Sequence, residues 1–458
     1  MDMTPSMTET PGQAQRNASI SAAQAPRGLR QLPRPPLPAR CMVADPDSFA
    51  HWTLAERFPT IIQHVIADNQ FPGDIAERLT AFGRDLAQGS VRRLHDDGPD
   101  LSAWHRYLTP FLGRRWSALP WYFAEAYFYR RLLEATQYFL PGPGSGVDPY
   151  RCRKAARLTA TMDAVAAVSA EVTTGLSTAA GRRPFAGGAL LWTLLSWALW
   201  SNWGDLSLWP IGGGAADPGN AAEKGGTQVL VDDSARVVER LEQLHGARVD
   251  IIADNAGLEL VCDLALADVL LASGGAERVY LHLKAHPMFV SDATGVDVYD
   301  TVQRLTVHEN GNVRHCGTRL DAHLRTGRLR LRPEFFWTSP RMFTELPPAL
   351  RAALAQSSLV VVKGDANYRR LLGDRRWPVT TSFDALMGAF PALLVAIRTV
   401  KSELLVGLTA EQALTLGCAN PQWVRGGRWG IIQCADRAQP TGAVRRVRPV
   451  GIPRTAVV

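Results

Sequence analysis

Val249-Asp-Ile-Ile-Ala-Asp-Asn-Ala-Gly-Leu-Glu259 passes from an apolar strand pattern into two oxygen-bearing side chains and then into a helix. Asp254 and Asn255 stand where the strand stops. Leu260, Val261, Leu264, Val269 and Leu270 then recur at helical spacing until Ser273-Gly274-Gly275 ends the pattern. The unit is strand, Asp-Asn turn, helix. In open parallel sheets, turns at the carboxyl ends of strands are where ligands bind. Two hard oxygen donors at such a turn suit a divalent cation, although an Asp-Asn pair also has a simpler use as a helix N-cap.

The same construction recurs downstream. Val279-Tyr-Leu-His-Leu-Lys284 is an alternating strand followed by Ala285-His-Pro-Met-Phe-Val-Ser-Asp292. Leu359-Val-Val-Val-Lys363 runs into Gly364-Asp-Ala-Asn-Tyr-Arg-Arg370, and Leu393-Leu-Val-Ala-Ile397 ends in Arg398-Thr-Val-Lys401. Four buried-looking strands that finish in charged or amide residues predict one cleft, with acids from two strands and bases from two others. Such a cleft can hold a metal and an anion together. Gln228-Val-Leu-Val231 and a helix from Ala235 to Leu244 precede these units, so the alternation predicts an α/β protein with a doubly wound, Rossmann-like sheet. Asp232-Asp-Ser-Ala-Arg236 carries no Gly-x-Gly-x-x-Gly, which argues against a nicotinamide or flavin site. Between Asp300 and Trp337 the pattern predicts an antiparallel excursion turning at Asn310-Gly311.

The 458 residues are 46% hydrophobic and 20% charged, an ordinary globular balance that allows two to three domain-sized units. The net charge of +7 lies in the ends. Residues 1–40 carry five Arg against Asp2 and Glu9, and residues 435–458 carry five Arg against Asp436, so the body between them is formally neutral. A neutral body lacks the clustered basic face that nucleic acid requires. Six dispersed cysteines without a Cys-x-x-Cys pair read as reduced thiols of a cytoplasmic protein, and the first 40 residues, lacking a continuous apolar core, predict no secretory signal. Leu190-Leu-Trp-Thr-Leu-Leu-Ser-Trp-Ala-Leu-Trp200 is apolar but bounded by Gly187-Gly188 and Ser201-Asn-Trp-Gly-Asp205, which makes it a buried helix rather than a membrane span.

These signals predict an arm (1–40), a helical N-terminal domain (41–225), an α/β catalytic domain (226–434) and a basic tail (435–458), with both ends expected to be disordered. In the helical part, Thr53 with Glu56 reads as a capping box, and Ile61, Ile62, Val65 and Ile66 form one face. Trp121–Tyr138 reads as a core helix. The Gly-rich loop Gly212–Gly226 follows no strand and lacks a P-loop lysine, so it is no phosphate cradle.

Asp254-Asn-Ala-Gly-Leu-Glu259, Phe289-Val-Ser-Asp292, Lys363-Gly-Asp-Ala-Asn-Tyr-Arg369 and Arg398-Thr-Val-Lys401 together resemble the damage-control phosphatases with the acidic-residue-methyltransferase-like fold, in the subgroup marked by Arg-Thr-x-Lys. The likeness extends upstream to Ser48-Phe-Ala-His-Trp-Thr53, Arg57-Phe-Pro59 and Trp121–Arg131. One departure is Trp203, where the family has a basic residue after Asn202.

The resemblance implies that Asp254, Asn255 and Asp292 ligate a divalent metal, manganese first, with cobalt, nickel or magnesium as alternatives. It implies that Asp254, Asp292 and Lys401 are catalytic. It also implies that Asp365, Ala366, Asn367, Tyr368 and Arg369 form a substrate loop, with Lys401 holding the phosphate as a point charge. The expected substrate is a small phosphometabolite, a hexose or pentose phosphate such as fructose 1-phosphate, with no nucleic-acid or membrane partner. The alternatives are S-adenosylmethionine-dependent carboxyl methyl transfer, an activity also attributed to the family, and sugar-phosphate binding without turnover. From the residues alone, Glu259 anchors the site or simply favours the first helical turn, Lys401 also reads as a surface lysine, and His282 and His286 read as core or rim histidines.

Overall fold

Seven strands build the sheet: β1 (Gln228–Asp232), β2 (Ala247–Ile252), β3 (Ala276–Lys284), β4 (Leu329–Glu334), β5 (Leu359–Lys363), β6 (Leu394–Thr399) and β7 (Trp429–Ala435). They belong to a computed structural model that describes residues 37–46, 48–178, 188–201, 228–419 and 428–436. Most of both terminal arms, the Asn202–Leu208 segment with Trp203, and the Gly212–Gly226 loop lie outside the described residues. The spatial order is β1-β7-β6-β5-β2-β3-β4. Strands β6, β5, β2, β3 and β4 run parallel. β7 pairs antiparallel with β6, and β1 is parallel to β7, so these two run against the other five.

This α/β sheet therefore departs from the reading of its first strand. β1 lies on the far edge, pointing opposite to β2, and only the later strands are wound in the expected sense. From β2 the chain moves outward through β3 to β4, then returns to the other side of β2 as β5 and continues to β6. Strand order reverses between β2 and β5, the topological switch point where carboxyl-end turns diverge and leave a crevice.

Alternation decides what each face buries. Val249, Ile251, Val279, Leu281, Val361 and Ile397 join a core with helices on one side, while Ile252, Val360, Val362, Leu394 and Ala396 join a second core on the other. Into the first core goes the helix Leu258–Ala272, in which every residue from Leu258 to Leu271 is buried. Such a helix is apolar on all sides, as its sequence is, apart from Glu259, Asp263 and Asp268.

The region read as an antiparallel excursion is a helix pair, Gly295–Thr306 and Gly311–Arg325, followed by β4 in the parallel sense. Asn310 is an N-cap, its side chain accepting from the backbone N–H of Asn312 at 2.9 Å and of Val313 at 3.3 Å. The Asn-Gly signal serves a hairpin or a cap equally. Val313, Cys316 and Leu320, buried at helical spacing, decide for the cap. The Thr53–Glu56 box also fails. Ser48 caps the short helix Phe49–Trp52, Thr53 spends its hydroxyl on Phe49 C=O at 2.8 Å, and Thr53–Arg57 forms a π-helical turn.

A third core belongs to the N-terminal helices. Phe58, Phe82, Trp104, Trp116, Tyr122, Tyr127, Phe128 and Tyr129 pack together there, and Met288, Phe289 and Val290 of the loop after β3 join them. The helix Trp121–Ala135 is buried from Trp121 to Glu134, as its sequence predicted. The helix Ala189–Trp200 ends before Ser201, and among the described residues no helix is long and apolar enough to cross a membrane.

Candidate active site at the carboxyl ends of the strands

Two loops zip together at the switch point. After β2, Asp254 C=O accepts from Ala293 N–H at 2.8 Å, and Ala256 N–H donates to Ser291 C=O at 2.7 Å. Asn255 and Asp292 thereby face each other across an antiparallel bridge. Residues predicted as metal ligands from sequence stretches nearly forty residues apart are neighbours in space.

The Asn255 amide nitrogen donates to Asp254 Oδ2 and Glu259 Oε2, both at 2.9 Å, and its oxygen accepts from Ser291 Oγ. Glu259 is thus an anchor for the turn. Its other oxygen meets Lys363 Nζ at 2.9 Å, and Lys363 meets Asp263 at 3.0 Å. Burial alone would depress the Lys363 pKa, but the carboxylates of Asp263 and Glu259 outweigh it and hold the ammonium charged. Asp263 is pushed up to about 6, by burial first, against the pull of Lys363 and with the help of Glu259. Lys284, closing β3, pairs with Asp292 Oδ2 at 2.9 Å.

The loop that delivers Asp292 is strained. Phe289 and Val290 have φ of 51° and 65°, a region that costs bulky and β-branched residues most. Buried packing holds them there, with the Phe289 ring 5.0 Å from Tyr129 and 6.0 Å from Tyr122.

On the other side of the switch, Gly364 follows β5 at φ 83°, and a Cβ there would sit 1.9 Å from Asp254 Oδ2. Only glycine lets the backbone pass the carboxylate this closely. Asp365 pairs with Arg398 Nη2 at 3.0 Å and accepts from Ser402 Oγ at 3.1 Å. Arg398 also donates to Leu404 C=O at 2.6 Å and stands 4.4 Å over the Tyr368 ring. The signature arginine therefore builds the bend that carries the buried Lys401.

The rest of the predicted substrate loop divides. Asn367 Nδ2 donates to Ala253 C=O at 3.1 Å and Lys363 C=O at 2.9 Å, joining the ends of β2 and β5, while its Oδ1 is buried without a hydrogen-bond partner. Ala366 packs against the aromatic core. Tyr368 points the other way, its hydroxyl donating to Gln433 at 2.8 Å. Arg369 lies between Glu125 and Asp374, over the Trp121 ring, with Nη2 buried and making no hydrogen bond. His282 donates to Asp250 at 2.8 Å and accepts from the Trp337 indole at 3.3 Å, and His286 lies 3.5 Å from Asp100; both are buried.

Sequence reasoning did not single out Lys284, Lys363, Gly364, Ser291 or Ser402 for the site. The lysines carried a signal, since each closes a strand, Lys363 after an apolar run and Lys284 after an alternating one. Ser291 and Gly364 act through close approach, which spacing does not encode.

Among the described residues, no group of three or more His, Cys, Asp and Glu side chains could hold a metal. The candidate donors brought to neighbouring positions, Asp254, Asn255 and Asp292, are two carboxylates and an amide, all hard oxygen. That set fits magnesium or manganese in an open shell completed by water or a phosphate oxygen, and does not fit a soft metal.

Residues 53–415 match the damage-control phosphatase ARMT1-like domain. The mouse damage-control phosphatase ARMT1 is 32% identical over 436 residues, spanning 86% of this chain and 98% of its own. The human protein of the same name is 30% identical, spanning 87% and 98%. A solved DUF89-family protein from Pyrococcus horikoshii superposes with a TM-score of 0.41 at 14% identity, covering 85% of this chain and 98% of its own. With the family's domain spanning most of its length and relatives aligned almost end to end, the chain belongs to the ARMT1-like damage-control phosphatase family.

Proposed function

We propose that the chain is a metal-dependent phosphatase of small phosphometabolites, sugar phosphates such as fructose 1-phosphate foremost, with manganese as the preferred ion. The observation that supports this reading is the backbone bridge pairing Asn255 with Asp292, beside the Asn255 bond to the Asp254 carboxylate, with Arg398 and Asp365 paired in the Arg-Thr-x-Lys bend. A bound divalent cation would neutralise phosphoryl charge and orient the attacking oxygen.

The protein's own contribution is placement. Glu259 and Ser291 fix the Asn255 amide, so its carbonyl and the Asp254 carboxylate keep one orientation. Lys284 balances Asp292 before a cation arrives. Lys401 supplies a positive charge to hold the substrate phosphate, and Asn367 Oδ1 is a ready acceptor for a hydroxyl. Arg369 contributes through Nη2, its other nitrogens being committed to Asp374 and Glu125.

The test is phosphate release from a panel of sugar phosphates with and without manganese, using Asp254→Ala and Asp292→Ala. Both variants should lose turnover together with the thermal stabilisation that manganese confers on the parent, because binding to the native state raises apparent stability. Normal manganese stabilisation in Asp292→Ala would remove that residue from the site. Metal-independent micromolar binding of S-adenosylmethionine with no phosphate release would replace the proposal by methyl transfer.

A further inference from the structure

A cavity of about 480 Å³ lies on the outer part of the sheet, and none of its lining residues is among those assigned above to metal, phosphate or sugar. His282, Arg332 and Glu334 line it from one face of β3 and β4, and Tyr280 and Arg330 stand on the same face beside it, Tyr280 opposite Arg330 and His282 opposite Arg332. Trp104, Tyr107, Phe335 and Phe336 wall it, and Arg332 and Arg341 line it. The volume suits a ligand of mononucleotide size.

The charges decide the class of ligand. Arg248, Arg332 and Arg330 stand 4.0, 5.3 and 5.8 Å from the centre of the Tyr280 ring, three guanidinium groups crowded on one aromatic. Arg248 is neutralised by Asp250, with bonds of 2.8 and 3.0 Å. Arg330 and Arg332 meet no carboxylate within ion-pair distance among the described residues, and Arg341 has only a 3.6 Å pairing with the exposed Glu345. The cavity's own acids offset little of this. Asp100 is bound by Arg130 at 2.9 Å and, although burial works the other way, His286 and Arg130 hold its carboxyl far below the usual range. Glu334 is the cavity's other acid, set against Arg332 and Arg341 in its lining.

Like charges gathered against an aromatic wall suit an anion that brings its own ring. Phe335 is a large aromatic left 42% exposed at this cavity. A planar base stacks on such a ring or between it and a guanidinium, and a phosphate takes the guanidinium forks. A bare sugar phosphate would leave that aromatic surface in water. We infer that this cavity binds a nucleoside monophosphate or a similar aromatic phosphate, at a second site separate from the metal crevice.

The two sites are mechanically linked. Asp100, which lines the cavity, contacts His286 at 3.5 Å, and His286 stands in the loop that carries Asp292. Glu334 pairs in register with Lys284, the partner of Asp292. Occupancy at the outer site would therefore bias the loop on which the metal ligand sits.

The experiment is calorimetric titration of the full chain with AMP, adenosine and inorganic phosphate in a chelator, so that no turnover occurs and the metal crevice is not engaged. AMP should bind, and adenosine and phosphate should each bind at least tenfold more weakly. Arg332→Ala with Arg341→Ala should weaken AMP at least tenfold while melting within a few degrees of the parent, since both side chains reach solvent. Phe335→Ala, a second and independent variant, should weaken AMP and leave phosphate unchanged. Asp254→Ala should leave AMP binding intact. AMP binding that survives the arginine pair, that is lost in Asp254→Ala, or that is absent at millimolar AMP would overturn the inference.

Discussion

Gly364→Ala is the sharpest test of how the site is built. At φ 83°, alanine in place of glycine costs about 1–2 kcal/mol for backbone strain alone. Its methyl would also lie 1.9 Å from Asp254 Oδ2, 2.1 Å from Cγ and 2.6 Å from Cβ. Restoring ordinary contact of about 3.5 Å needs a retreat of roughly 1.5 Å. Rotation of the carboxylate cannot supply it, because the Asp254 Cβ is itself in the way. Nor can the backbone yield easily. Asp254 C=O is bonded to Ala293, and the neighbouring Ala253 is held through its N–H by His282 and through its C=O by Asn367. If Asp254 takes part in the reaction as proposed, a displacement of that size costs about 100-fold in rate.

The assay for the proposed activity is phosphate release from fructose 1-phosphate in the presence of manganese, read beside thermal melting with and without manganese. Gly274→Ala is the control. It has φ 75° and nothing within 4 Å of the added methyl, so it reports the strain by itself. Gly364→Ala should melt lower than that control, lose turnover by about 100-fold or more, and lose most of its manganese stabilisation. Retained turnover with a normal manganese shift would show that Asp254 is not held against the β5 turn in the working enzyme.

Three further perturbations probe the surroundings. Lys284→Met removes the buried ammonium that pairs with Asp292, so without metal it should be destabilised by roughly 3–5 kcal/mol, whereas manganese, if it binds at Asp292 as proposed, loses a competitor and should raise the melting temperature more than it raises the parent's; equal increments would refute competition at Asp292. Phe289→Ala removes the aromatic that holds the strained turn and should cost about 3–5 kcal/mol and most of the activity, as read by denaturant melts and phosphate release. Asp250 is pushed up by burial, but hydrogen bonds from His282, Arg248 and Ser357 prevail and depress its pKa. Its stabilisation is therefore full above the ordinary carboxylate value of about 4 and is lost as pH falls through the lower folded value. Asp250→Asn should flatten the acid limb of the stability–pH curve, and an unchanged limb would exclude the group.

The strands and their carboxyl-end turns were legible because period and composition coincide there. Leu359–Lys363 carries three consecutive valines, a β-branched run that can be buried on both faces, and Asp254-Asn255 breaks such a pattern abruptly. The direction of β1 was not legible. An edge strand's sense is set by its pairing with β7, two hundred residues later, and no local pattern records that. The Asn310-Gly311 dipeptide failed for another reason: the same side-chain oxygen that tolerates a hairpin turn also caps a helix, and the burial of residues beyond it decides.

The substrate loop shows the limit most clearly. Asn367, Tyr368 and Arg369 are consecutive, yet a helical turn separates their side chains by about 100° per residue, so one stretch cannot aim all three into a crevice. Asn367 ties the strand ends, Tyr368 reaches Gln433 on β7, and Arg369 crosses to Glu125 in the N-terminal helices. That last contact gives the helical layer a role beyond covering the sheet. Glu125 also binds Arg57 at 2.9 Å, and Tyr122, one turn earlier, donates its backbone N–H to the Asp374 carboxylate that holds Arg369 and packs against the strained Phe289. One helix thus clamps both the loop bearing Asp292 and the helix bearing Arg369. The positive-φ turn can persist because this aromatic helix surrounds it, and its strain is the local cost of bringing Asp292 opposite Asn255.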